Sequence, residues 1–111
     1  MCDLVSAAGT SDIPEYWAHQ IGDIARSARA LLAASPINRA ARVQTPTLIF
    51  HWEGDMRCPA SQSDEWFSVL CRRGIPTTLV RYPGGSHTSR TPSQQVDKLT
   101  RIIAWFNNYG L

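Results

Sequence analysis

Two tracts of the sequence carry side chains suited to acid–base chemistry. They are His51-Trp52-Glu53-Gly54-Asp55 and Pro83-Gly84-Gly85-Ser86-His87. A carboxylate that accepts a hydrogen bond from one ring nitrogen of histidine fixes its tautomer and stabilises the imidazolium. The other nitrogen can then act as a general base. An Asp55–His87 pair is the chemistry these tracts offer. The plainer alternative is that Asp55 caps a turn and His87 is a surface loop residue. His51 ends a predicted strand, a common place for a structural, hydrogen-bonded histidine. His19 lies in a predicted helical segment.

The elements around these tracts decide whether the pair can form. Thr45-Pro46-Thr47-Leu48-Ile49-Phe50-His51 is short, apolar and bounded by Pro and Gly, and it predicts a strand buried on both faces. Residues 61–73 predict a helix, with Trp66, Phe67, Val69 and Leu70 on one side and Gly74 as its C′ residue. Thr77–Tyr82 predicts a second strand, and Pro83–His87 a loop. Thr91-Pro92-Ser93-Gln94 has the pattern of a capping box. It opens a helix with an apolar stripe of Val96, Leu99, Ile102, Ile103 and Phe106, and with Lys98 and Arg101 opposite. Strand, helix, strand, helix is a βαβα order, which implies an α/β fold with a parallel sheet. In such sheets reactive groups gather beyond the carboxyl ends of the strands. Neighbouring tips lie about 5 Å apart, and two glycines before His87 let its loop turn sharply.

The preceding part of the chain is read as helix and linker. Gly9-Thr10-Ser11-Asp12 reads as a turn. Pro14 sits in a first helical turn. Residues 23–34 predict a helix with Ile24, Ala28, Leu31 and Leu32 on one face, ended by Ser35-Pro36. The expected organisation is therefore a helical and linker segment over 1–44 and an acid- and histidine-bearing βαβα unit over 45–111. Two strands are too few to cover their own faces and edges, so the chain reads as one end of a larger sheet.

Composition narrows the function class. The 111 residues are 43% hydrophobic and 18% charged, with a net charge of +2, which suits one small globular domain. Ten of the eleven basic residues are Arg and they are scattered, so no nucleic-acid partner is expected. No apolar run approaches the roughly 20 residues needed to span a bilayer, and no membrane partner is expected. No signal peptide is visible at the start, and a cytoplasmic location is the default. Cys2, Cys58 and Cys71 are odd in number and widely spaced, which argues against a disulfide framework and a paired-cysteine zinc site. Cys71 reads as a small core hydrophobe. Trp66, Phe67, Trp105 and Phe106 read as core or docking surface.

The tract Thr45–Gln62 resembles the acid-bearing segment of the prolyl oligopeptidase family of serine peptidases, in its acylaminoacyl peptidase branch. There an Asp-x-Arg-(Val/Cys)-Pro-x-x-Gln pattern follows the penultimate strand, matched here by Asp55, Arg57, Cys58, Pro59 and Gln62. Tyr82-Pro83-Gly84-Gly85-Ser86-His87 resembles the family's histidine loop. Gly9–Ile13 and Ser35-Pro36-Ile37 resemble segments upstream of the acid, so the likeness covers nearly the whole chain. It implies a partial α/β-hydrolase fold: the last two parallel strands with flanking helices, the N-terminal part of the sheet missing. It also implies that Asp55 is the triad acid and His87 the triad base, in the chain order Ser, acid, His. The implied activity is hydrolysis of peptide bonds near the N-terminus of short peptides, with no metal or cofactor. Trp52 stands where many members have a small residue.

One departure is plain. The family's nucleophile sits in a Gly-x-Ser-x-Gly elbow, and no such motif occurs in these residues. The expected partner is therefore the missing N-terminal part of the hydrolase domain. By itself the chain is expected to be inactive and to self-associate through an exposed sheet edge. The alternatives are a non-catalytic α/β interaction module and part of an esterase-type α/β hydrolase.

Overall fold

Thr47–Trp52 forms strand β1 and Thr77–Tyr82 forms strand β2. Both are rich in β-branched and aromatic residues, which fit a pleated, half-buried surface. A computed structural model describes residues 1–88 and 91–110. Ser89, Arg90 and Leu111, the last residue of the expected 45–111 unit, lie outside the described residues. The element order begins with helices α1 (Leu4–Thr10), α2 (Pro14–Ile21) and α3 (Ile24–Ala34) and a 3₁₀ segment (Pro36–Arg42). Then come β1, helix α4 (Ser61–Arg72), β2 and helix α5 (Pro92–Tyr109).

The strands pair in parallel, in a register that runs from Thr47 opposite Thr77 to Trp52 opposite Tyr82. Parallel pairing needs a crossover, and α4 supplies it, packing against both strands. Helix α4 stops where Gly74 takes a φ of 72°, with its N–H on the Cys71 carbonyl. Side chains alternate across the sheet. Leu48, Phe50, Trp52, Val80 and Tyr82 gather on one face as the core cluster. The other face carries His51 and Arg81, which reach Ser63 and Asp64 of α4.

The N-terminal helices are fastened by polar side chains. Asp3 caps α1 by accepting from the Val5 and Ser6 N–H groups, and Asp23 caps α3. Buried Ser35 accepts from the Leu4 N–H at 2.9 Å and donates to the Leu31 carbonyl at 2.8 Å, tying the start of α1 to the end of α3. Arg73 reaches the Ala40, Ala41 and Val43 carbonyls and binds the 3₁₀ segment to the end of α4.

Several expectations change. Gly9 and Thr10, expected in a turn, close helix α1 instead, because the Asp3 cap satisfies two of the first-turn N–H donors and starts the helix at Leu4. β1 is not covered on both faces, since Thr47 through Phe50 are only half-buried. Cys71 is exposed on the outer side of α4 and is not a core residue. The apolar stripe of α5 is divided. Ile102 and Trp105 sit toward the sheet, and Lys98 places its ammonium 5.7 Å from the Phe50 ring centre and 5.5 Å from that of Trp52. A lysine can cover aromatic rings with its alkyl stem and its charge. That choice turns Val96 and Ile103 outward, at 64% and 63% exposure, together with Leu99, while Phe106 lies half exposed at the groove shared with Ile102 and Trp105. No helix among the described residues is long and apolar enough to cross a membrane.

Candidate active site

The matched register brings the two strand tips to one edge, and the loops beyond them are joined through their backbones. The Glu53 N–H donates to the Tyr82 carbonyl at 2.9 Å, extending the ladder past β1. The Gly54 N–H donates to the Gly84 carbonyl at 3.1 Å. A Cβ on Gly54 would lie 2.1 Å from the Gly85 carbonyl oxygen, so only glycine fits between the loops. Gly84 and Gly85 take φ values of 64° and 72°, the left-handed turn that swings His87 back toward β1.

Asp55 and His87 meet at this edge. The His87 Nδ1 lies 3.0 Å from the Asp55 Oδ2. An ionised carboxylate only accepts, so Nδ1 is the nitrogen that carries the proton. The other carboxylate oxygen, Oδ1, accepts from the Arg57 N–H at 3.0 Å and the Cys58 N–H at 2.9 Å. Asp55 is thus aimed by its own loop before it meets the histidine. Its side chain is 12% exposed, against 46% for His87. Burial acts to raise the Asp55 pKa. The Cys58 N–H, His87 and the Arg57 N–H together outweigh it and hold the carboxyl below its ordinary value.

The Gly9–Ile13 tract braces the acid loop. The Asp12 N–H donates to the Met56 carbonyl at 3.0 Å, and the Ser11 hydroxyl donates to the Arg57 carbonyl at 3.0 Å. The Asp12 carboxylate lies 3.4 Å from the Arg57 Nε. The histidine loop is held by Gln94, the N3 residue of the α5 capping box. Its Oε1 accepts from the Thr91 N–H at 3.3 Å and from the Trp52 indole N–H at 3.0 Å. Its Nε2 donates to the Pro83 carbonyl at 3.1 Å.

The remaining candidates separate. His51 is 7% exposed and shares a 2.7 Å hydrogen bond with Ser63, the structural setting expected for it. Burial pulls its pKa below the ordinary value. His19 is exposed on α2. Cys58 lies beside the pair, but burial and then the Asp55 charge push its thiol pKa up, the opposite of an activated nucleophile. Two roles escaped the sequence reading. Cys2 is buried, with its thiol on Glu65 at 3.3 Å and its pKa pushed up to about 12 by burial and by that carboxylate. Gln62, 4% exposed, accepts from the Cys2 and Asp3 N–H groups at 2.9 and 3.0 Å. Its place in the Asp-x-Arg-Cys-Pro-x-x-Gln pattern was the signal that could have marked it. A cleft of about 390 Å³ runs past His51, Asp55, Cys58, Ser63, Trp66 and His87.

Comparison with known proteins agrees with this architecture. Residues 2–110 match the model of the prolyl oligopeptidase family. The chain is 39% identical over 110 residues to an uncharacterized peptidase of Bacillus subtilis, covering 95% of this chain and 17% of that protein. It is 30% identical over 112 residues to the acylamino-acid-releasing enzyme of Sus scrofa, covering 93% of this chain and 15% of the enzyme. Among solved structures, a puromycin-hydrolyzing peptidase of Mycobacterium tuberculosis superposes with a TM-score of 0.87 at 25% identity, covering 100% of this chain and 17% of its own. Acylaminoacyl peptidase of Pyrococcus horikoshii gives 0.85 at 23% identity, with 98% and 19% covered, a likeness of fold. The chain spans about a sixth of the length of these curated relatives. Its two parallel strands with flanking helices are part of an α/β-hydrolase sheet.

Proposed function

The chain belongs to the prolyl oligopeptidase family, and from that premise we propose that it supplies the acid and the base of a serine peptidase triad, Asp55 and His87. The observation that carries this reading is the 3.0 Å hydrogen bond between the His87 Nδ1 and the Asp55 Oδ2 across two parallel strand tips. With Nδ1 committed as donor, Nε2 is the nitrogen that takes a proton from a serine hydroxyl. Asp55 stabilises the imidazolium that results. His87 then returns the proton to the leaving amine as the acyl-enzyme forms, and a water repeats the cycle to release the acid. Residues 45–111 carry the acid and base in this scheme, and residues 1–44 brace them through Ser11 and Asp12.

The serine comes from a Gly-x-Ser-x-Gly elbow elsewhere in the hydrolase domain, since residues 1–111 contain none. By themselves these residues hold the acid and the base of the scheme without the elbow that presents its nucleophile. The substrate class is short peptides cleaved near the N-terminus. The kinship with acylamino-acid-releasing enzymes supports that class.

A fluorophosphonate probe tests the reading. The 111-residue chain is expected to stay unlabelled. A longer polypeptide that joins it to the elbow-bearing part of the domain is expected to be labelled at one serine. In that polypeptide Asp55→Asn is expected to slow peptide hydrolysis by about 10⁴-fold, the effect of the same change in the chymotrypsin-type triad. Stoichiometric labelling of a serine in the short chain, or full peptidase activity in the Asp55→Asn form, refutes it.

A further inference from the structure

We propose that Asp55, Cys58 and His87 form a binding site for a thiophilic divalent cation, Zn²⁺ first among them, and that the cation takes His87 out of its pair with Asp55. One ligand atom from each residue lies within 4.8 Å of the other two. Carboxylate, thiolate and imidazole are the donor types that zinc selects. The set lacks the several hard oxygens that calcium or magnesium needs. Thiolate and carboxylate together neutralise the charge of a divalent ion, and the imidazole joins as a neutral ligand.

The surroundings favour such a site. The Asp55 carboxylate is already oriented by two backbone N–H groups on its Oδ1. Second-shell support of this kind is what positions a metal ligand. Cys58 is a free thiol. All three residues line one cleft of about 390 Å³, which leaves room for the cation and a water as fourth ligand. The two loops that supply the ligands are joined by the Gly54–Gly84 backbone hydrogen bond, so their approach is set by the fold.

Binding involves no redox change. The Cys58 thiol releases its proton to solvent and its sulfur lone pair goes to the cation. His87 stays neutral: its proton moves from Nδ1 to Nε2, and the Nδ1 lone pair goes to the cation. Asp55 exchanges the imidazole N–H for the metal. The cation therefore occupies the nitrogen that orients the base, and the hydroxyl has no correctly held acceptor. This inhibitory consequence rests on the triad reading above; the binding itself does not.

The experiment uses the 111-residue chain, reduced, titrated calorimetrically with ZnCl₂ and followed with CdCl₂ by cadmium–thiolate charge-transfer absorption. One ion per chain and a thiolate band are expected. Cys58→Ser is expected to abolish the band and weaken zinc binding by at least about tenfold, and His87→Gln to weaken it by a similar factor. Cys2→Ser and Cys71→Ser are expected to retain both. Circular dichroism of each variant separates loss of a ligand from loss of fold, and His87→Gln, on an exposed loop, supplies a second arm should Cys58→Ser unfold. Equal zinc affinity in the Cys58→Ser and parent chains, or a thiolate band that disappears only with Cys2 or Cys71, overturns the site. In the longer active polypeptide, zinc is expected to inhibit the parent and spare Cys58→Ser. Binding without inhibition would leave the site standing and count against the triad reading.

Discussion

His51 shows how burial converts a titratable side chain into a pH-dependent part of the scaffold. Its ring is closed off between β1 and α4 and bonded to Ser63. Desolvation lowers its pKa in the folded state, whereas an unfolded histidine titrates near its ordinary value of about 6.5. Between those two values the unfolded chain binds more protons. The contribution of neutral His51 is therefore fully present above about pH 6.5 and is lost as the pH falls through the folded pKa. Thermal midpoints are expected to drop between about pH 7.5 and about pH 5.5, and His51→Gln is expected to flatten that slope. An unchanged slope in the variant would assign it to other groups. Asp55 follows the opposite design. Three hydrogen-bond donors surround a carboxyl that is mostly buried, so it stays ionised where an unsupported one would take up a proton.

At the scale of elements, the acid and histidine loops depend on two small devices. Gly54 permits the loops to touch, because any Cβ there collides with the Gly85 carbonyl. Gly54→Ala is expected to destabilise the chain by about 1–3 kcal/mol, the range for forced overpacking. Urea unfolding measures the loss, and a variant as stable as the parent would mean that the loops can part cheaply. The second device is the α5 capping box, in which Thr91 accepts from the Gln94 N–H. Thr91→Ala is expected to destabilise by about 1 kcal/mol. The same Gln94 also holds Trp52 and the Pro83 carbonyl. Loss of the cap is therefore expected to broaden the amide resonances of residues 84–87 as well as fray the helix. A change confined to α5 would show that the cap and the histidine loop are independent.

On the scale of the whole molecule, the chain leaves much of its apolar surface unpartnered. Val96, Leu99 and Ile103 face outward along α5, Phe106 is half exposed, and the two-stranded sheet has open edges. Burying one such side chain is worth roughly 1.5–3 kcal/mol, so several in one stripe drive association. The isolated chain is expected to self-associate, with sedimentation velocity showing a mass that rises with concentration. Leu99→Lys with Ile103→Lys is expected to shift it toward monomer. A parent chain that stays monomeric and melts in one sharp transition would remove this expectation.

The division between sequence and tertiary structure follows the range of the interactions. Strands, capping box, the helix between the strands and the glycine turn before His87 were legible because each depends on neighbours within a few residues: β-branched runs, Thr-Pro-Ser-Gln, Gly-Gly. The Asp55 and His87 tracts were legible for the same reason, together with the chain order that puts both at strand ends. The sequence could not decide which face of α5 meets the sheet, because an apolar stripe states a preference for burial without naming the surface that buries it. Tertiary packing set Lys98 over Phe50 and Trp52 and left part of the stripe outside. Packing also decided that Cys2 is buried and Cys71 exposed, and that Cys58 lies within reach of both Asp55 and His87. Those placements depend on distances between residues remote in the chain. Such distances exist only once the strand register closes the loops on one another.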